Sequence, residues 1–442
     1  MTRTVRDMGK KPRNASGSWL PAVAICVVMM LAAERALGAG IEIPLELVSI
    51  GTDSAGNPKY KLGIWVGLGG GRQQLYEFDT GGQGFWAGYT SELASGVSQW
   101  WGGYTQTGQT GTISYSSGVQ YMGNIVTTSI QIYSDGTTSI PRFDSGSQAV
   151  PLAQIQTAIS SDIGDIYQPI QQGQPFLQSN FFGDFGASLM PLITGSVVLY
   201  GVLPQLPVEA GLDAGFIVNT GGYGGTSPLL TLGISSQDNS RFATQVAMTA
   251  VPGYHYPTTN LPAYAEAVIT GTMTLANGAS GTSNALVAPL ILDTGALTGS
   301  IRPGPTIESQ VINPYLDGAE VIPGTAIRLT AAGAAGYLGL DTTFIAGGTS
   351  GLNLFTTDTD SMNPNSVNLG LLGFNAYETM FNLSAGNVGF TAIVPEPSTC
   401  AMALAGLACC GYSIRARGSC RWLCPSRPLP RCSRQGSQPA VS

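Results

Sequence analysis

Apolar residues in this chain come in short runs, most of them alternating with threonine, serine or glycine rather than spaced at helical intervals. Residues 41–50, 60–66 and 228–232 read as strands, and Thr, Val and Ile alternate through residues 265–275 as in a strand hairpin. Only residues 154–166 carry helical periodicity. Two apolar runs end in the same triplet: Leu75-Tyr76-Glu77-Phe78 leads into Asp79-Thr80-Gly81, and Ala288-Pro289-Leu290-Ile291-Leu292 leads into Asp293-Thr294-Gly295. Each aspartate is therefore expected where a buried strand ends and a glycine-assisted turn begins.

Two equivalent loops can bring two carboxyl groups to one cleft. At about 3 Å separation, ionising the second carboxyl is so costly that the pair keeps a single proton over a wide pH range. Such a pair is both acid and base. The carboxylate can take a proton from water while the protonated partner donates to an amide carbonyl, which hydrolyses a peptide bond without metal, cofactor or covalent intermediate. The apparent pKa values then belong to the pair.

The surroundings of the triplets resemble the pepsin-like aspartic proteases over residues 41–393. Trp86 follows Asp79 by seven residues, and Ile113-Ser114-Tyr115-Ser116-Ser117-Gly118 is similar to the family's flap hairpin. The resemblance makes Asp79 and Asp293 catalytic and gives Thr80, Gly81, Thr294 and Gly295 the role of locking the two loops together. It also makes Tyr115 and Gly118 flap and substrate-binding residues, with Trp86 as the hydrogen-bond partner of Tyr115. The family threads an apolar-apolar-Gly segment beneath each aspartate loop. Leu371-Leu372-Gly373 fits that pattern and continues through Tyr377, Phe381 and Asn387-Val388-Gly389-Phe390. The first copy, Phe185-Gly186, has Asp184 in place of one apolar residue. The implied fold is all-β and bilobed, with two pseudo-twofold-related β-barrel lobes and a cleft between them.

Two positions depart from the family. The residue after each triplet is usually Ser or Thr, whose hydroxyl supports the neighbouring aspartate, and here it is Gly82 and Ala296. Losing those bonds raises the pair's pKa. Elsewhere, Phe143-Asp144-Ser145-Gly146 imitates a catalytic triplet but lies between Pro141 and Pro151 and reads as a turn. The single histidine, His255, has no Asp or Cys in a triad-like setting nearby, so neither a catalytic triad nor a metal site is expected.

Residues 40–394 contain seven basic and 23 acidic side chains, a net charge of −16 that argues against nucleic-acid binding. All seven cysteines lie outside this region, so two packed β cores must supply its stability. The termini read as addresses. A basic segment, an apolar run and small residues make residues 1–39 a secretory signal peptide. Val394-Pro395-Glu396-Pro397-Ser398-Thr399, an apolar stretch and Arg415 and Arg417 resemble a PEP-CTERM sorting signal at 395–417, cut by an exosortase-type enzyme. The apolar stretch is too short for a permanent anchor. A basic tail follows at 418–442.

The expected organisation is an N-terminal lobe at 40–221 and a C-terminal lobe at 222–394, in a monomer exported through the inner membrane to the surface or matrix of a Gram-negative bacterium. Its membrane contact would be through the terminal signals only. About 35 residues separate Gly40 from the first triplet, leaving little room for an inhibitory pro-segment. Two functions remain open: an exported acid endopeptidase acting on polypeptide, or a protein of the same fold that binds polypeptide or glycan without cleaving it.

Overall fold

The computed structural model describes residues 39–393 apart from 53–55, 57, 91–100, 168–173, 176–180, 224, 348–354 and 359–363. The signal peptide, sorting signal and tail thus lie outside the described residues, save Ala39. Thirty-one strands and only three short α-helices occur among them, which makes the protein all-β, as its alternating pattern predicts. The main sheets have 13, 11 and 5 strands and run from edge to edge. The resemblance leads one to expect closed barrels, but among the described residues no barrel is closed, and each sheet's strand order is open.

One sheet ties the ends of the domain together. Ile41–Pro44 pairs antiparallel with Leu229–Ile234, which pairs with Asp213–Asn219, then Tyr377–Asn382, Asn387–Ala392 and Thr244–His255. The glycine-rich stretch after Asn219, where the sequence suggests a lobe boundary, is the turn between the second and third of these strands.

Around the two triplets the same five-strand arrangement occurs twice. In the first copy, β1 (Pro58–Leu68) pairs antiparallel with β2 (Gln74–Asp79). Next comes β3 (Phe85–Gly88), then β4 (Val150–Ser160) and β5 (Gly183–Gly186). The lateral order is β1-β2-β5-β3-β4, with β2–β5 and β3–β4 parallel and β5–β3 antiparallel. The second copy uses β6 (Pro262–Ile269), β7 (Leu290–Ile291), β8 (Gly299–Arg302), β9 (Phe355–Thr357) and β10 (Ser366–Asn368). Its order, β6-β7-β10-β8-β9, and the direction of every pairing are the same. Both aspartate strands are central in their sheets, so every side chain of β2 is buried. Beneath the first triplet, Tyr76, Phe85 and Phe185 pack with ring centroids 4.9 Å apart in each successive pair. Burial of each such ring contributes about 1.5–3 kcal/mol.

The register corrects three sequence expectations. Residues 154–166 form no helix: most belong to β4, and a bulge between Ile155 and Thr157 shifts that strand's register and breaks the period of two that would have marked it. Residues 265–275 are two strands but no hairpin. The chain turns a corner at Thr270-Gly271 and passes from β6 to Thr272–Asn277 in another sheet. The third concerns the segment under the second aspartate. Asp184 stands opposite Glu77, and Gly186 opposite Asp79; in the second copy Asn368 stands opposite Ile291. The counterpart of Asp184-Phe185-Gly186 is therefore Asn368-Leu369-Gly370. Leu371-Leu372-Gly373 instead lies in the short helix α1 (Gly370–Ala376) that follows.

Both glycines of these segments are sterically enforced. A Cβ on Gly186 would lie 1.9 Å from the carbonyl oxygen of Gly84, and one on Gly370 would lie 2.4 Å from that of Thr298. Gly186→Ala is expected to destabilise the protein by about 3 kcal/mol, the upper end for an overpacked core site, measured by urea denaturation; Gly278, which has open space around it and no positive φ, serves as the control position.

Candidate active site

The two triplets meet through their threonines. The Thr80 amide donates to Thr294 Oγ1 at 2.9 Å, and the Thr294 amide donates to Thr80 Oγ1 at 2.9 Å. Each hydroxyl then donates onward, Thr80 to the Leu292 carbonyl at 2.8 Å and Thr294 to the Phe78 carbonyl at 2.7 Å. Four bonds thus join loops more than 200 residues apart in sequence. Serine or threonine is needed because one atom must donate and accept at once. Thr80 and Thr294, the residues expected at the junction of the loops, are the ones that carry these contacts.

The lock brings the carboxylates together. The Gly295 amide lies 2.9 Å from Asp293 Oδ1 and 3.2 Å from Asp79 Oδ1, so a single N–H is within reach of both. The Gly81 amide donates to Asp79 Oδ1 at 2.7 Å and the Ala296 amide to Asp293 Oδ1 at 3.1 Å. The triplet glycines make this approach achievable. A Cβ on Gly81 would stand 2.5 Å from Asp293 Cγ, and one on Gly295 would stand 2.4 Å from Asp79 Cγ. Each glycine leaves room for the opposite aspartate.

Polar support for the outer oxygens comes from an unexpected place. Asn368 Nδ2 donates to Asp293 Oδ2 at 2.6 Å, where a hydroxyl after the triplet would have served. On the other side the equivalent residue is Asp184. A Cβ on Gly82 would be 2.7 Å from Asp184 Oδ2 and 2.9 Å from Asp79 Oδ2, so Gly82 yields its space to two carboxyls. Asp184 is 4% exposed and Asp79 8%. Sequence reasoning passed over both polar partners. The available signal was the Asp in an apolar-apolar-Gly slot; for Asn368 no such slot was recognisable, because Leu371-Leu372-Gly373 lay nearby.

Burial holds the Asp79 carboxyl well above the usual carboxylate range, and the charges of Asp293, Asp184 and Glu77 raise it further. Asp184 is likewise raised, first by burial and then by Glu77, while a hydrogen bond from Tyr115 and the charge of Lys61 act in the opposite direction. Lys61 reaches the cluster from β1 and forms an ion pair with Glu77. Burial works against its charge, but Glu77 more than offsets this and leaves Lys61 above its ordinary value.

The hairpin of Thr105–Ser114 and Val119–Thr128 arches over the site. Its tip is tied by the Tyr115 amide to the Val119 carbonyl at 2.8 Å and by the Gly118 amide to the Tyr115 carbonyl at 3.0 Å. Gly118 has φ +80°, and a Cβ there would meet Ser161 Oγ at 2.1 Å. Between hairpin and carboxylates lies a cavity of about 480 Å³, lined by Asp79, Asp293, residues 112–116 and Leu192 among others. The expected Tyr115–Trp86 hydrogen bond does not form. Tyr115 Oη donates to Asp184 Oδ2, and Trp86 Nε1 donates to the Gln83 carbonyl at 3.0 Å. Indole Nε1–H can only donate, and here it is committed to the Gln83 carbonyl instead of Tyr115 Oη, while the tyrosine's own proton goes to the buried Asp184 carboxyl.

The remaining sequence features fall outside the site. Asp144 is exposed and accepts from the Gly146 amide at 2.8 Å within its turn, and His255 is exposed.

Removing the hydroxyl of Thr294 would leave the Thr80 amide and the Phe78 carbonyl buried without partners. Thr294→Val is expected to cost about 3 kcal/mol in urea denaturation and Thr294→Ser less than about 1.5 kcal/mol, since the hydroxyl persists. The raised carboxyls give stability a pH dependence. Above about pH 4 the unfolded chain releases protons that folded Asp79 and Asp184 retain. Their contribution is whole below that pH and is lost as pH rises through the raised values. Urea midpoints are expected to decline from pH 4 towards 7, and to decline less in Asp79→Asn. Comparison of the chain with protein-family models and with curated proteins finds no match.

Proposed function

We propose that the protein is an exported aspartic endopeptidase that hydrolyses peptide bonds with a water activated between Asp79 and Asp293. The observation that carries this reading is the single Gly295 amide within hydrogen-bonding distance of both carboxylates, fixed by the reciprocal threonine lock. Two carboxyls that close retain one proton, and both are aimed at a cavity of about 480 Å³.

In the proposed reaction the charged carboxyl takes a proton from water as the water oxygen attacks the scissile carbonyl, and the neutral carboxyl donates its proton to the carbonyl oxygen, giving a diol. The proton taken from water then passes to the leaving nitrogen as the carbon–nitrogen bond breaks. The other carboxylate takes a proton back from a diol hydroxyl as the new carboxyl group forms, which restores the pair. An extended peptide would lie between the carboxylates and the hairpin carrying Tyr115, where backbone edges at residues 112–116 are available for strand-like pairing. The doubled five-strand arrangement supports a bilobed pepsin-like acid protease fold. The terminal sequences support export, exosortase processing and residence at the surface or matrix of a Gram-negative cell.

The purified protein is expected to cleave an unfolded protein substrate below neutral pH and to be inhibited by pepstatin. Asp79→Asn and Asp293→Asn should each lower kcat at least about 1,000-fold, the scale on which proton-transfer groups act, with the fold intact by near-ultraviolet circular dichroism. A folded protein with no turnover between pH 2 and 7 would overturn the enzyme reading and leave one in which the cleft binds polypeptide or glycan.

A further inference from the structure

The site has a third carboxyl that the two-aspartate reaction does not use. Asp184 is the register equivalent of Asn368, opposite Glu77 on one side and Trp86 on the other, just as Asn368 lies opposite Ile291 and Ser300. Asn368 gives Asp293 a permanent, neutral donor. At the corresponding place beside Asp79 the side chain is ionisable, and the missing side chain of Gly82 lets its Oδ2 crowd the same point as Asp79 Oδ2. Oδ1 of Asp184 is buried without a hydrogen-bond partner among the described residues.

We propose that Asp184 is a positioning residue that sets the upper pH limit of the site, keeping the last proton on the Asp79–Asp293 pair to a less acidic pH than two aspartates alone would. This rests on the endopeptidase reading above. Asp79 and Asp184 are buried and line one pocket with Asp293, so each negative charge there makes the next proton on Asp79 or Asp184 harder to remove. The working form needs one proton between Asp79 and Asp293. A charge on Asp184 defends that proton, whichever aspartate holds it.

The other groups around Asp184 do not cancel this effect. Lys61 is the one cation among the described residues that line this pocket, and Glu77 already pairs with it; Asp358, which lines it too, is paired with Arg302 at 3.4 Å. Tyr115 Oη donates to Asp184, Tyr121 contributes a second phenol, and Asp293 faces it across the site. The net charge of this cluster beyond the catalytic pair is therefore set by Asp184. Both shifts act in the same sense: Asp184 is among the charges that raise Asp79, and burial raises Asp184 itself.

The test is the pH profile of kcat/KM for the full-length protein and for Asp184→Asn, which keeps an oxygen to accept from Tyr115 and removes the charge. The upper limb of the profile is expected to move down by about one pH unit, so that activity at a fixed pH on that limb falls about tenfold while the acid limb stays in place. Asp184→Leu should show the same displacement with a higher KM, because Tyr115 loses its acceptor. An upper limb that stays put or moves up in Asp184→Asn would overturn the proposal, even with peptide hydrolysis intact. Infrared titration of the protonated-carboxyl band gives a readout independent of turnover: the last band to disappear should do so at lower pH in Asp184→Asn than in the wild type. A displaced band without turnover would uphold the carboxyl cluster and sink the endopeptidase reading; an undisplaced band would sink the cluster.

Discussion

Everything in the site depends on the reciprocal hydrogen bonding of Thr80 and Thr294. Two loops from distant parts of the chain would not hold a pair of carboxylates in contact unaided, because the charges repel and burial disfavours them. The threonines oppose this with four short bonds that are buried and closed on themselves, each hydroxyl both accepting and donating. Such a bond set is all or nothing. Neither loop can satisfy its own amide and carbonyl without the other, so the geometry of one aspartate is fixed by the loop that carries its partner. The same reciprocity governs the glycines, since each triplet leaves room for the opposite carboxyl.

With position fixed by the lock, charge is regulated by protons. Asp79, Asp184 and Glu77 crowd one end of the cluster, where Lys61 is the only cation among the described residues lining the pocket, and the lysine is paired with Glu77. Burial disfavours a fully ionised cluster and raises Asp79 and Asp184, which favours the retained proton that the proposed shared-proton reaction requires. The structural support for the pair and its chemistry thus draw on one cause. A site neutralised by added lysines would fold more readily and would lose the proton that the proposed hydrolysis uses.

The sequence revealed the parts of this design that repeat locally and hid those that depend on register. Two identical triplets after apolar runs located both aspartates, both threonines and both glycines, because strand end, turn and carboxyl are encoded within a few residues. The strand character of most segments followed from alternation. Residues 154–166 misled because a bulge in β4 between Ile155 and Thr157 breaks the period of two. The segment under Asp293 misled for a different reason: Leu371-Leu372-Gly373 has the apolar pattern, whereas the residue that fills the structural slot is the polar Asn368. Trp86 and Tyr115 both lie by the site, yet the absence of a bond between them was not foreseeable from the sequence, since Asp184, which takes the tyrosine's proton, arrives from a strand about 70 residues beyond Tyr115.

Gly82 and Ala296 acquire a different meaning once the registers are known. Read alone, they remove the hydroxyls that would support the aspartates. Read with β5 and β10, they accompany two polar residues at equivalent positions beneath the loops, Asp184 and Asn368, and at Gly82 the missing side chain is what admits the carboxyl. On the Asp293 side, support comes from the strand beneath the loop, through Asn368. The two halves then differ in one respect. Asn368 offers Asp293 the same hydrogen bond at every pH, while Asp184 changes charge beside Asp79. A hydroxyl at both positions would have left the pair symmetric; an amide on one side and a carboxyl on the other make the Asp79 loop the one through which solvent pH acts on the shared proton.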